Sequence, residues 1–149
     1  MTNLQHDKDK IKILENKLTA EEFTVLQEAV GFGSPNFKQT EKAIENSIYT
    51  LSAYIDGQIA GMGRLVGDGA RNFYIQDLFI KPEFQKKGIG KLIVNKLLEY
   101  IRKNGMKNCD IKVGLMAAKG KDQFYEKLGF RARPNENEGS GMMINLTLT

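Results

Sequence analysis

The chain carries one cysteine, Cys109, and one histidine, His6, among its 149 residues. A single cysteine excludes an internal disulfide and fits a reducing cytoplasm, the expected location. Early in an apolar run, Cys109 reads as a small core residue rather than an acyl carrier. A lone histidine in a polar leader leaves His-based catalysis and a His-ligated metal without candidates, so no metal is expected. No apolar stretch approaches the length of a membrane span, so no membrane partner is expected. Met1 to Lys12 has no apolar segment of the secretory type. There is no internal repeat and no low-complexity tract. Residues 1–149 therefore read as one domain, long enough to bury a real core.

Charge of one sign is also scarce. The 22 basic residues face 18 acidic ones, and the net charge of +4 is dispersed. That is too mild to argue for nucleic acid, and no stacking-aromatic motif of the RNA-binding type occurs. The one local basic cluster is Lys86, Lys87 and Lys91. A compact polyanion accounts for it more economically than a polymer does.

That cluster surrounds the run Gln85-Lys86-Lys87-Gly88-Ile89-Gly90, which opens onto Lys91-Leu92-Ile93-Val94. Two glycines at a helix start let the backbone pass close to a ligand and leave several N–H groups without intrahelical partners. Those donors, the positive end of the helix dipole and the lysines suit a pyrophosphate. Two other phosphate motifs do not fit. A dinucleotide fingerprint needs a third glycine where Ile93 sits, and a Walker loop needs Ser or Thr where Leu92 follows Lys91.

Hydrophobic periodicity gives the order of elements. Thr19-Ala20-Glu21-Glu22 is a capping box, and Phe23, Leu26 and Val30 continue at helical spacing until Gly31. Thr40 to Ser47 reads as a second short helix, and then the period changes to two. Ile48 to Ile55 and Gln58 to Leu65 form a hairpin about Asp56-Gly57, and Asn72 to Ile80 follows as a third strand stopped by Pro82. From Ile89 an apolar stripe of Leu92, Ile93, Leu97, Tyr100 and Ile101 runs to Asn104-Gly105. Cys109 to Leu115 should be a strand parallel to the one before the helix, in a right-handed crossover. Lys121 to Leu128 reads as a short helix closed by Gly129, and Phe130 to Arg133 and Met142 to Leu148 as two last strands. The fold class expected is α+β, with a mixed, mostly antiparallel central sheet flanked by helices.

The glycine run resembles the Gln/Arg-x-x-Gly-x-Gly/Ala acyl-CoA loop of the GNAT N-acetyltransferase superfamily. A second segment, Phe124-Tyr125-Glu126-Lys127-Leu128-Gly129-Phe130, resembles that family's Tyr-x-x-x-Gly-Phe motif. The order of elements matches the GNAT fold along nearly the whole chain. The resemblance implies a single GNAT domain using acetyl-CoA or CoA as cosubstrate, bound by Gln85, Lys86, Lys87, Gly88, Ile89, Gly90 and Lys91 and contacted by Phe124 and Tyr125. It implies that Phe79 and Ile80 pair with the pantetheine like a missing strand. It also implies a backbone N–H of Leu78 or Phe79 as oxyanion donor, and Tyr125 as the acid that protonates the departing thiolate. Phe124, Leu128 and Phe130 read equally well as core.

Asp77 stands in an otherwise apolar strand, where a carboxylate is costly unless exposed or given a task. The run Gln76-Asp77-Leu78-Phe79-Ile80 is similar to the corresponding strand of glucosamine-6-phosphate N-acetyltransferases. Asp77 would then accept the ammonium proton of the acceptor or bind its cation. One departure is Ala117-Ala118-Lys119-Gly120, where many family members have an asparagine that contacts CoA. Acceptor-facing segments contribute Phe32, Phe37, Tyr49, Glu136 and Glu138, which favour a cationic small-molecule amine. A phosphosugar amine and a CoA-binding regulatory module without turnover are the alternatives, and a homodimer stays open.

Overall fold

The computed structural model describes residues 10–149, which divide into two compact units, one ending at Leu115 and one running from Met116 to Thr149. The first holds a five-stranded sheet of β1 (Ile11–Glu15), β2 (Tyr49–Ile55), β3 (Gln58–Gly67), β4 (Asn72–Ile80) and β5 (Lys112–Leu115), in that spatial order. The first four pair antiparallel, and β5 lies parallel to β4. Helices α1 (Ala20–Ala29), α2 (Phe37–Glu45) and α3 (Ile89–Asn104) cover this sheet. The architecture is the mixed α+β arrangement that the sequence predicts. Among the described residues, no helix is long and apolar enough to cross a membrane.

The two sheet faces are packed by different helices. On one, Phe23 and Leu26 of α1 meet Leu18, Met62 of β3 and Phe79 of β4, with Ile44 of α2 against them. On the other, α3 buries Ile89, Ile93, Val94, Leu97 and Ile101. Full burial of each such side chain contributes roughly 1.5–3 kcal/mol, so this stripe is what fixes α3 on the sheet. Gly63 of β3 lets α3 come close: a Cβ there would lie 2.7 Å from Cγ2 of Ile93. At the far end of the same face Tyr49 stacks on Tyr100 with ring centroids 4.1 Å apart.

The capping box forms as read, with Thr19 and Glu22 exchanging hydrogen bonds at the start of α1, and Gly31 follows at φ +83. Helix α2 begins three residues earlier than expected, because Asn36 caps it by accepting the Gln39 N–H at 2.9 Å. Strand β1 was not expected at all. It lies partly in the stretch read as a polar leader, pairs with β2 from Ile11↔Ile55 to Glu15↔Leu51, and is anchored by the Tyr49 hydroxyl donating to Glu15 at 2.6 Å. His6 lies outside the described residues.

Two expectations are corrected near the end of the chain. Cys109 is exposed, not core: the strand starts only at Lys112, after Asn108 turns the chain at φ +60. In the second unit, α4 (Asp122–Glu126) is the one regular element, and neither Phe130 to Arg133 nor Met142 to Leu148 forms a strand. The segment between them is closed on itself by Arg131, which donates from Nε and Nη2 to Glu138 at 2.5 and 2.8 Å, and by Arg133 donating to the Gly139 carbonyl. Ile144, Leu146 and Leu148 keep the alternation of a strand but are exposed. Alternation marks a segment that could pair; it does not supply a partner.

Candidate active site

Strand β4 is paired unequally along its two edges. Its bonds to β5 run only from Asn72↔Lys112 to Ile75↔Leu115, so from Gln76 onward it is bonded to β3 alone. There the ladder slips. Met62 opposes Phe79 and Arg64 opposes Gln76, so that Asp77 and Leu78 together face the single residue Gly63. Asp77 takes the extra residue's strain with φ +53. Such a bulge re-aims the backbone and ends regular pairing, which suits a site where a ligand lies against the strand. The open edge thus carries Leu78, Phe79 and Ile80. The Phe79 side chain belongs to the core with Phe23, so only its backbone is available to a ligand.

The chain then turns through a short 3-10 helix, Pro82–Phe84, into the glycine run. Lys86 and Gly88 both have left-handed backbone, at φ +63 and +85. Gly88 is the N-cap of α3 and offers no side chain to it, while its carbonyl accepts the Leu92 N–H at 3.0 Å. The N–H groups of Ile89, Gly90 and Lys91 precede that first bond and have no carbonyl of the helix to reach. A Cβ on Gly88 would meet no atom within 4 Å, so the turn is open at the head of α3. Lys86, Lys87 and Lys91 are exposed around it, and Lys87 Nζ lies 5.9 Å from the Phe84 ring centroid. Backbone donors at a helix N-terminus beside three cations are an arrangement that favours phosphate groups. Gln85 plays a different part: its side-chain amide is engaged by the Ile80 carbonyl.

On the α1 and α2 side, Asp77 is not a free carboxylate. Arg64 Nε donates to its Oδ2 at 2.7 Å, and Arg64 Nη1 donates to Ser47 Oγ at 3.2 Å. The two side chains are 14% and 22% exposed, which leaves the pair weakly screened. Arg64 was missed in the sequence, although a single arginine in the apolar run of β3 was a visible signal. Phe32, just past α1, lies 5.8 Å from the Phe79 ring and is largely exposed, as is Phe37. Tyr49 is corrected: it is buried against Tyr100 on the opposite face, where burial, then the hydrogen bond to Glu15, holds its phenol well above the usual range.

In the second unit Tyr125 is half-buried, with Phe124 at 4.9 Å and Phe130 at 6.0 Å in edge contacts. Burial pushes its phenol up, which keeps it protonated at neutral pH. Its carbonyl accepts from Leu128 and Phe130, closing the turn at Gly129, where φ is +99. Glu136 is exposed. Glu138 is committed to Arg131, whose hydrogen bond leads in holding its carboxyl at about 2. Among the described residues, no group of three or more His, Cys, Asp or Glu could hold a metal ion.

Comparison with known proteins points the same way. Residues 15–145 match the acetyltransferase (GNAT) domain family. The uncharacterized N-acetyltransferase ycf52 of Pyropia yezoensis is 28% identical over 122 residues, covering 79% of this chain and 68% of that protein. An uncharacterized N-acetyltransferase of Methanocaldococcus jannaschii is 37% identical over 59 residues, which are 40% of this chain and 26% of that longer protein. Among solved structures, a probable acetyltransferase of meticillin-resistant Staphylococcus aureus superposes with a TM-score of 0.80 at 29% identity, covering 91% of this chain and 99% of that one. With the fold, the open strand edge and the glycine turn in place, the chain belongs to the GNAT acetyltransferase family.

Proposed function

We propose that this chain transfers the acetyl group of acetyl-CoA to a primary amine of a small molecule by direct attack, with no acyl-enzyme. The observation that carries the reading is the continuity of an open β4 edge at Gln76–Ile80 with a left-handed glycine turn that uncovers the first N–H groups of α3. An extended, amide-bearing pantetheine suits the first, and a pyrophosphate suits the second.

The chemistry then divides among this chain's residues. Phe79 and Ile80 bind the pantetheine through their backbone, and Gly88, Ile89, Gly90, Lys86, Lys87 and Lys91 bind the pyrophosphate. A neutral amine attacks the thioester carbonyl, and the Leu78 N–H stabilises the charge that develops on its oxygen. Asp77 takes the proton released by the amine or holds the acceptor's cation. Tyr125 gives its proton to the departing thiolate. Phe32 and Glu136 bear on the acceptor, and an aromatic face with carboxylates favours a cationic amine.

The test is thiol release from acetyl-CoA in the presence of spermidine, tyramine, Nα-acetyl-lysine or glucosamine 6-phosphate, beside a melting curve over a CoA titration. Thiol release above the no-amine rate with a cationic amine and a rising melting temperature are expected. A rising melting temperature with no turnover would make the chain a binding module. A flat melting temperature over a wide titration overturns the reading.

A further inference from the structure

The bulge in β4 is held from outside its own strand. Beyond Ile75 no ladder to β5 restrains β4, and at Asp77 and Leu78 the ladder to β3 is itself interrupted. A left-handed conformation is disfavoured at residues other than glycine, though least so at Asn and Asp. It persists where the surroundings over-determine it. The restraint comes from Arg64. Its Nε binds Asp77 Oδ2, its Nη1 binds Ser47 Oγ, and Ser47 Oγ donates in turn to the Ala43 carbonyl of α2 at 2.7 Å. On the opposite face Gly63, the residue facing the bulge, sits against Ile93 and Leu97 of α3 with no room for a Cβ. The extra residue is clamped from both sides, and only the Arg64 side of that clamp is a directed bond.

We propose that Arg64 is a positioning residue for acyl transfer: its guanidinium holds the Asp77 carboxylate and, through it, the bulge that aims the Leu78 N–H. The inference rests on the acetyl-CoA reading above. Leu78 follows Asp77 directly, so any relaxation of φ at Asp77 rotates the peptide that carries the Leu78 N–H. An oxyanion donor acts only when it is fixed before the charge appears. Arg64 touches neither cosubstrate nor acceptor in this scheme; it acts through Asp77. Because the bond to Ser47 continues to α2, the same residue ties the acceptor-side helix to the direction of that donor.

Arg64→Gln and Arg64→Lys test it, using acetyl-CoA, the best amine of the four named above, and the three-bond HN–Hα coupling of residue 77 by NMR, which reads its φ. In Arg64→Gln, kcat should fall by about 10²-fold, the size of effect a small misplacement causes. KM for acetyl-CoA and the CoA-induced rise in melting temperature should stay near wild type. The coupling at Asp77 should move from its left-handed value toward the larger one of extended backbone. Arg64→Lys keeps a cation beside Asp77 and should recover most of both. A folded Arg64→Gln protein with normal kcat and a wild-type coupling at Asp77 overturns the proposal, as does equal loss of kcat in both variants with an unchanged coupling. If Arg64→Gln does not fold, Asp77→Asn breaks the same ion pair with a side chain that tolerates positive φ, and an unchanged coupling at residue 77 in it overturns the proposal. If wild type turns over none of the amines and binds no CoA, the acetyl-CoA reading fails, while the coupling still decides whether Arg64 holds the bulge.

Discussion

The side-chain amide of Gln85 donates to the main-chain carbonyl of Ile80 across 2.9 Å, fastening the glycine turn to the end of the open strand edge. A resemblance alone makes Gln85 a cofactor contact; the bond makes it a spacer between the open strand edge and the glycine turn, the two halves of the proposed cosubstrate site. Gln85→Leu keeps the bulk and removes the donor. CoA affinity measured by calorimetry should weaken several-fold, while melting without CoA changes little, since one exposed hydrogen bond is worth about 1 kcal/mol. Unchanged affinity would show that the turn holds its shape without the tie.

Gly88→Val should remove CoA binding from a folded protein. At φ +85 a β-branched residue is strained by roughly 1–2 kcal/mol, yet no atom stands within 4 Å of its Cβ, so the core is undisturbed. The side chain would instead stand in the open space at the head of α3, where the pyrophosphate is proposed to bind. The variant should melt a few degrees lower and show no rise with CoA. A wild-type CoA affinity in this variant would place the ligand elsewhere.

Tyr125→Phe deletes one hydroxyl and leaves the edge contacts with Phe124 and Phe130 in place. As the acid for the leaving thiolate, Tyr125 should contribute something on the order of 10²-fold to kcat. KM for acetyl-CoA should barely move, because the interaction matters chiefly in the transition state. Normal kcat with a lowered melting temperature would assign Tyr125 to packing.

Asp68 supplies a pH dependence that is separate from catalysis. Its Oδ1 accepts the N–H groups of Ala70, Arg71 and Asn72 at 2.8, 2.8 and 2.9 Å in the turn between β3 and β4. Those bonds, Asn72 first, hold its carboxyl down at about 2 against an ordinary value of 3.8. A depressed folded-state value means the stabilisation is complete above the unfolded value and is lost as pH falls from there through about 2. Melting curves from pH 5 to pH 2 should therefore fall less steeply for Asp68→Asn than for wild type. Equal slopes would remove Asp68 as a source of acid sensitivity.

Which parts of this chain were legible in the sequence follows from how local their causes are. The capping box at Thr19, the hairpin about Asp56-Gly57, strand β4 to the residue and the start of α3 at Ile89 all depend on neighbours in sequence, and all appear where they were read. Strand β1 was hidden because it is a short edge strand whose alternation of Ile and Lys looks like a polar tail until β2 lies beside it. Tyr49 looked like an acceptor contact because its type fits that role; which sheet face it occupies is decided by register with β3 and by Tyr100. Asp77 drew notice as a charge in an apolar strand, but its partner Arg64 and the slipped ladder that seats it are tertiary facts. The two C-terminal runs show the converse, a strand-like pattern with no partner strand.

The open β4 edge, the Gln85 tie and the glycine turn occupy one unbroken stretch from Gln76 to Lys91, whereas Phe32 lies in the connection between α1 and α2 and Phe37 opens α2. Under the acetyl-CoA reading, the parts proposed for pantetheine and pyrophosphate lie together in sequence, and the aromatic residues proposed for the acceptor lie in a different part of the chain. If that reading holds, changes at Phe32 or Phe37 should alter the preference for the amine and leave CoA affinity unchanged. The Arg64 bridge from Asp77 through Ser47 to Ala43 joins that stretch to α2, so under the same reading a change on the acceptor side that shifts α2 should be felt as a change in rate.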